Sequence, residues 1–121
     1  MKCYIRSLYL CVFNMERAIA FYETFFEQPV TVKDDIYSVF DINGFRLGLF
    51  AFEKMKETHV FGNNCLPSIE VENVDVLKHK LKGQKIVFPI TQIGTNWVAE
   101  FEDSEGNHME ITSPVDSLQM K

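Results

Sequence analysis

The chain has 121 residues, of which 46% are hydrophobic and 24% charged, and this composition excludes a disordered chain and permits a hydrophobic core without disulfides. The net charge of -5 comes from acidic residues interspersed with lysine and arginine, so the sequence indicates no basic surface for nucleic acid. Three cysteines without metal-type spacing, and the absence of a signal-peptide-like or membrane-spanning apolar run, predict a cytoplasmic protein with no membrane association.

The first half of the chain predicts a strand, a helix and three further strands. Residues 4–13 are rich in strand-forming side chains, and Asn14 is a suitable N-cap for a helix that ends near Phe26, before Pro29. Strands are then predicted at 30–33, 36–42 and 45–52. Asn43-Gly44, between the last two, is a strong hairpin signal.

The second half repeats this order after a polar segment. Residues 53–65, which include Gly62-Asn63-Asn64, predict a linker or mobile loop. A strand follows at 68–72, then a helix capped by Asn73, then strands at 86–90, 96–102 and 108–112. The repetition predicts an internal duplication of a βαβββ unit. We therefore expect one α+β domain over residues 1–121, with unit one at about 1–52 and unit two at about 66–113.

A tight acidic turn near the C-terminus delivers a carboxylate onto the last strand. Gly106 belongs to the residue types that tolerate positive φ, so residues 104–107 predict the turn. Side chains alternate along a strand, which places His108 and Glu110 on one face and the apolar residues between and after them toward a core. This pair could form a metal site, an acid–base site or a solvated strand edge.

Three segments of the sequence carry a family likeness. Residues 8–22 form a strand, a polar break and a helix containing Phe-Tyr, and residues 70–75 repeat the strand-to-helix junction. Residues 102–111 approach the pattern Asp-Pro-Asp-Gly-Asn before a strand bearing glutamate, with Ser104 and Glu105 as departures. Together they resemble the vicinal oxygen chelate superfamily, which includes glyoxalase I, bleomycin resistance proteins and extradiol dioxygenases. The resemblance implies two tandem βαβββ units that form a cupped mixed sheet.

The resemblance also implies where metal ligands would lie. Glu110 matches the ligand on the last strand. The other positions fall on Ser7, on about Leu66, and among Gly48, Leu49 and Phe50. Leucine cannot coordinate a metal, and a serine hydroxyl is a poor ligand for a divalent transition metal. We therefore expect no metal cofactor; the alternative is a rearranged divalent-metal site that uses Glu110, His108 and His59. Without such a site, His59 and His79 are expected to be solvated.

In the family geometry, the cup would be lined by side chains from both halves. These are Ser7, Tyr9 and Cys11 on the first strand, Ser68 and Glu70 opposite, Trp97 and several phenylalanines as walls, and His108 and Glu110 at the mouth. An aromatic pocket with a few polar anchors is typical of small-molecule sites. The family likeness further implies a homodimer.

Three functions remain open. The first is a metal-free protein that binds a small molecule in the aromatic cup. The second is an enzyme, either a divalent-metal-dependent lyase or dioxygenase with a rearranged site, or a metal-free catalyst with Glu110 as general base. The third is a structural or regulatory module without small-molecule chemistry.

Overall fold

The computed structural model describes residues 2–62 and 65–116, which form two compact units divided between Val60 and Phe61. Unit 1 comprises β1 (Ser7–Cys11), α1 (Met15–Phe26), β2 (Tyr37–Ile42), β3 (Phe45–Phe50) and a 3-10 turn at Phe52–Met55. Unit 2 comprises β4 (Ser68–Glu70), α2 (Val74–Leu81), β5 (Lys85–Ile93), β6 (Asn96–Glu102) and β7 (His108–Pro114). The predicted α+β class with two tandem units is confirmed. Neither helix of the described ranges has the length and apolarity needed to cross a membrane.

Unit 1 is a three-stranded sheet in the order β1-β3-β2 with α1 packed on β3. The strand β1 runs parallel to β3, and β2 pairs with β3 antiparallel. The helix begins where predicted, because the Asn14 side chain accepts a hydrogen bond from the Arg17 amide at 3.0 Å. Leu47 and Leu49 on β3 and Tyr22 on α1 are buried, so the core lies on the helix side of the sheet.

The β2–β3 hairpin turns at Asn43-Gly44, as predicted. Asn43 has a φ of 51° and Gly44 a φ of 93°, and two successive positive φ values define the type I′ turn that suits the twist of a hairpin. The Asp41 carboxylate accepts a hydrogen bond from the Gly44 amide at 2.9 Å. This turn fixes the register from Ile42 opposite Phe45 to Tyr37 opposite Phe50.

Unit 2 is a four-stranded sheet in the order β4-β7-β6-β5, with α2 packed on β7. The strand β4 pairs parallel with β7, and β5, β6 and β7 are mutually antiparallel. Asn73 caps α2 by accepting a hydrogen bond from the Val76 amide at 2.9 Å. Met109, Ile111 and Phe101 are fully buried, which places the core on the helix side here as well.

The strand predicted at 30–33 is wrong: only Val32 forms a single bridge, to Val39. The Val30 amide instead donates to the Glu23 carboxylate of α1 at 2.9 Å, and the amides of Thr31 and Val32 both donate to the Val39 carbonyl. One carbonyl therefore serves two amides, and a regular ladder cannot continue.

Other boundaries also differ from the prediction. The strands β1 and β4 are shorter than the predicted 4–13 and 68–72, whereas β5 and β7 are longer than the predicted 86–90 and 108–112. The predicted loop at 53–65 begins with a helical turn, because Phe52 is buried and anchors it. Asn63 and Asn64 of that loop lie outside the described residues.

The acidic turn before β7 is a closed hydrogen-bond network. One Asp103 carboxylate oxygen accepts hydrogen bonds from the Glu105 and Asn107 amides, both at 2.8 Å, and the other accepts from the Asn107 side chain at 3.2 Å. Gly106 has a φ of 94°, as the turn requires. Asp103 is only 6% exposed, so its carboxylate replaces solvent for these amides. The turn thereby fixes the start of the strand that carries Glu110.

Replacing Asp103 with alanine should therefore destabilise the protein by about 3 kcal/mol, because buried amides lose a charged acceptor. Urea unfolding followed by circular dichroism measures the change, and Asp35→Ala, at an exposed position in unit 1, is the matched control. A loss at Asp103 no larger than the loss at Asp35 would contradict the structural role of the turn.

Candidate functional site

In each unit, one face of the sheet lies against a helix, and the other carries the predicted site residues other than Trp97. Ser7, Tyr9 and Cys11 share one face of β1, while Leu8 and Leu10 alternate onto the helix side. The parallel register places Tyr9 beside Gly48 and Cys11 beside Phe50. The three predicted residues of β1 therefore do lie together on the open face of unit 1.

Three aromatic rings form a cluster on this face: Tyr9, Tyr37 and Phe50, called here the ring cluster. The Tyr9 centroid lies 5.5 Å from that of Phe50 and 6.1 Å from that of Tyr37, with the ring planes inclined by 81° and 68°. The Tyr37 and Phe50 centroids are 6.3 Å apart at 46°. Tyr9 is 49% exposed and Tyr37 is 39% exposed, so the cluster presents aromatic surface to solvent within its unit.

Gly48 makes room for the ring cluster. A Cβ atom at this position would collide with the hydroxyl and ring carbons of Tyr37, which lies over the glycine from the neighbouring strand. Gly48 itself has no positive φ, so its role is space and not backbone conformation. A side chain at position 48 would force Tyr37 out of the cluster.

A second group of side chains borders the ring cluster in unit 1. The His59 ring packs edge-to-face on Phe52, with centroids 4.9 Å apart, and its Nε2 lies 3.6 Å from Oε1 of Glu57. Burial raises the pKa of the Cys11 thiol, and the Glu57 carboxylate raises it further. The expectation that His59 is solvated is therefore wrong, since its Nε2 is buried against unit 1. His79 is exposed, as expected.

The open face of unit 2 is polar. Glu110 lies directly between Ser68 on β4 and Glu100 on β6, and the Ser68 hydroxyl donates a hydrogen bond to Glu110 Oε1 at 2.7 Å. Counting along the sequence predicts the implied ligand position on the first strand of unit 2 at about Leu66. In the observed register the residue of β4 beside Glu110 is Ser68. Glu70 lies two residues further along β4, on the same face and exposed.

His108 shares this face with Glu110, as strand alternation predicted, and its ring contacts two other glutamates. Its Nδ1 is 2.9 Å from Glu100 Oε2, and its Nε2 is 3.8 Å from Glu102 Oε2. The Nδ1 and Oε2 atoms of the shorter contact are both buried but do not align as a hydrogen bond. Lys85 adds a cation 3.4 Å from Glu102.

Trp97 does not lie with these residues. Trp97 lies opposite Ser113 on β7. Ser113 is an odd number of residues from Glu110 and points to the other face, so Trp97 occupies the helix side of the sheet. The prediction that Trp97 walls the same cavity as Glu110 is therefore wrong. The error came from treating the aromatic residue as a cavity wall without the β6–β7 register.

The side chains at the family's ligand positions do not fit a metal. On β4 and β7 the pair is Ser68 and Glu110, which offers one carboxylate and one weakly coordinating hydroxyl. In unit 1 the residue beside Ser7 on β3 is Arg46, a cation. Over residues 2–62 and 65–116, no group of three or more histidine, cysteine or acidic side chains has an arrangement that could hold a metal ion.

Sequence reasoning missed four features of these faces and their borders: the residues Tyr37, Glu57 and Glu100, and the space-making role of Gly48. The signal for two of them was present. A two-residue loop at Asn43-Gly44 dictates the hairpin pairing, and counting outward from it places Tyr37 opposite Phe50 and Val39 opposite Gly48. Glu57 and Glu100 depend on tertiary contacts, for which the sequence carried no comparable signal.

The fold is similar to those of several solved structures. A glyoxalase/bleomycin resistance protein/dioxygenase family enzyme from Burkholderia phytofirmans has 16% identity and a TM-score of 0.75, covering 91% of this chain and 98% of that one. A lactoylglutathione lyase from Agrobacterium tumefaciens has 17% identity and a TM-score of 0.72, covering 99% and 98%. A glyoxalase-related enzyme from Fulvimarina pelagi has 14% identity and a TM-score of 0.73, covering 88% and 85%. Identities this low show the fold alone.

Comparisons by sequence gave no match, either to a protein-family model or to a curated protein. The vicinal oxygen chelate fold is therefore shown by structure. The activity has to be argued from the side chains of this chain.

The raised pKa of the Cys11 thiol predicts slow alkylation. Cys11 should react with iodoacetamide more slowly than the exposed Cys3 at about pH 8, because less of it is thiolate. Glu57→Gln removes the nearby negative charge and should accelerate Cys11 about two-fold without changing Cys3. Peptide mass spectrometry over time measures both rates, and an unchanged rate at Cys11 in the variant would contradict the placement of Glu57.

Proposed function

We propose that this chain, whose fold is that of the glyoxalase/bleomycin resistance/dioxygenase proteins, binds an organic small molecule at an aromatic site without a catalytic metal. The observation that carries the proposal is the ring cluster of Tyr9, Tyr37 and Phe50 on the open face of unit 1.

Contiguous exposed aromatic surface is typical of interaction sites. Tyr9 and Tyr37 together present two large, half-exposed rings, and Gly48 is kept small so that Tyr37 can lie in the cluster. Rigid aromatic side chains supply large contact area with little loss of conformational entropy on binding. Stacking against a planar or apolar ligand would remove this surface from water.

The donor set supports binding without a metal. A divalent transition metal requires several nitrogen, sulfur or carboxylate ligands converging on one point. The family positions in this chain instead supply Ser7 beside Arg46 in unit 1 and Ser68 beside Glu110 in unit 2. We therefore propose that this chain uses the fold as a binding scaffold and forms no Lewis-acid site at those positions.

Metal-free acid–base catalysis by Glu110 is the second candidate. The Ser68 hydroxyl, at 2.7 Å, fixes one oxygen of the Glu110 carboxylate and leaves the other oxygen available. A general base needs this kind of orientation relative to a bound substrate.

The homodimer implied by the family likeness also remains a proposal, which sedimentation velocity at micromolar concentration would check.

Binding of aromatic fragments tests the leading proposal. A library of uncharged planar aromatic compounds should perturb the NMR resonances of β1 and β3 around the ring cluster. Tyr9→Leu should weaken such binding about three- to ten-fold, because one aromatic contact is lost. Tyr4→Leu is the matched control, since Tyr4 is exposed outside the cluster and stacks with Arg6. Absence of any fragment that perturbs these resonances would contradict the proposal.

Proton exchange tests the second candidate. If Glu110 is a general base, the protein should catalyse deuterium incorporation from solvent into carbon acids such as 1,3-diketones, measured by proton NMR. Glu110→Gln should lower that rate about a hundred-fold or more, while the amide oxygen still accepts from Ser68 and preserves the fold. Glu72→Gln, at an exposed position of the same unit, is the control. Exchange that survives in Glu110→Gln would exclude Glu110 as the base.

A further inference from the structure

We infer that the group recognised at the ring cluster is an organic cation, a quaternary ammonium or a protonated amine, held by Tyr9, Tyr37 and Phe50 with Glu57 as its counter-charge. This inference rests on the proposed function and specifies the ligand class at the same site.

The ring geometry suits a cation. Aromatic faces carry partial negative charge, and cations bind within about 6 Å of ring centroids. The ring planes of the cluster meet at 46° to 81° and their centroids lie 5.5 to 6.3 Å apart, so they form the walls of a corner and not one flat stack. A compact cation seated over this corner contacts more than one ring at once, whereas a flat ligand stacks on only one of them.

A carboxylate is fixed at one border of the cluster. The His59 ring lies edge-to-face to Phe50 of the cluster, with centroids 6.3 Å apart. The Cys11 thiol, beside Phe50 on the same face, has its pKa raised in part by the Glu57 charge. Glu57 is itself held from the other side by His59, whose Nε2 lies 3.6 Å away and whose ring is anchored on Phe52. The half-exposed Glu57 carboxylate therefore lies at the His59 border of the rings.

Charged side chains of both signs lie near the other strands of the cluster. Asp34 accepts hydrogen bonds from the Tyr37 and Ile36 amides, which lower the pKa of its carboxyl and keep it ionised at the start of β2. Lys54 lies near Asp34 and offsets part of that charge. In the sheet register, Arg46 lies opposite Ser7 on β1 and Asp41 on β2. It shares the face of Gly48, two residues further along β3. In the described part of the chain, the cation–π contact is between Arg6 and Tyr4, outside the cluster.

An anionic ligand fits this site poorly, because the Glu57 carboxylate would repel it. A neutral ligand gains the apolar and ring contacts but neither the cation–π attraction nor the charge–charge attraction to the carboxylate. Charge and ring geometry therefore favour the same occupant. The discriminating comparison is between two ligands of equal shape that differ only in charge.

Choline and its uncharged isostere 3,3-dimethyl-1-butanol provide that comparison. In NMR titrations of the full chain, choline should perturb resonances of β1, β2 and β3 around the cluster and bind about ten-fold more tightly than the isostere, as cation–π contacts predict. Added salt should weaken choline binding, because Glu57 is partly exposed and its charge is screened.

Variants locate the site. Tyr37→Leu should weaken choline binding about five-fold or more, and Glu57→Gln about two- to five-fold, by loss of a ring and of the counter-charge respectively. Tyr4→Leu and Glu53→Gln apply the same substitutions at exposed positions outside the cluster and should leave binding unchanged.

Equal affinity for choline and the isostere would overturn the inference while leaving the proposed function intact, because an apolar aromatic site would remain. Choline binding that is insensitive to Tyr37→Leu would overturn it as well, because the cation would then bind elsewhere. Failure of choline to bind also overturns it, whereas the proposed function fails only if uncharged aromatic fragments fail too.

Discussion

Both units depend on a parallel pairing between their first and last strands, β1 with β3 and β4 with β7. Parallel neighbours cannot be joined by a tight turn, so the chain has to leave the sheet and return through a helix. The helix packs on one face and encloses the leucine, isoleucine and phenylalanine side chains there. The opposite face does not form the core of the unit, so its side chains can be polar or exposed.

The two open faces have diverged in chemistry. In unit 1 the face carries rings, with a glycine beneath one of them. In unit 2 it carries carboxylates: Glu100 and Glu110 are direct cross-strand neighbours, an arrangement in which like charges repel. Ser68 satisfies one oxygen of Glu110 and His108 lies against Glu100, so each carboxylate has its own compensating neighbour. The same backbone plan therefore supports an aromatic surface and an acidic one.

Much of the fold could be predicted from local signals. The two asparagine caps, the Asn43-Gly44 hairpin and the acidic turn at Asp103 depend on residues within a few positions of each other, and all formed as expected. The strand at 30–33 failed because a distant side chain, Glu23, took the Val30 amide. Placement of Trp97 failed because a face assignment requires the register of a neighbouring strand.

The candidate sites were less predictable than the fold. Strand alternation grouped His108 with Glu110 correctly, and the family resemblance placed Ser7, Tyr9 and Cys11 on one face, where they lie. It could not identify partners across parallel strands, because parallel register is set by the packing of the crossover and not by a turn. Ser68 beside Glu110 is a contact of this non-local kind.

The type I′ turn at Asn43-Gly44 has a consequence for how this protein changes over evolution. Because the turn dictates which residues of β2 and β3 face each other, the side chains at positions 37, 39 and 50 are not needed to align the strands. Mutations there can change the surface that the face presents without misaligning the hairpin, provided position 48 stays small wherever a large ring occupies position 37. Strand alignment and surface chemistry are thus encoded by separate residues, which makes this face a natural starting point for engineering a binding surface.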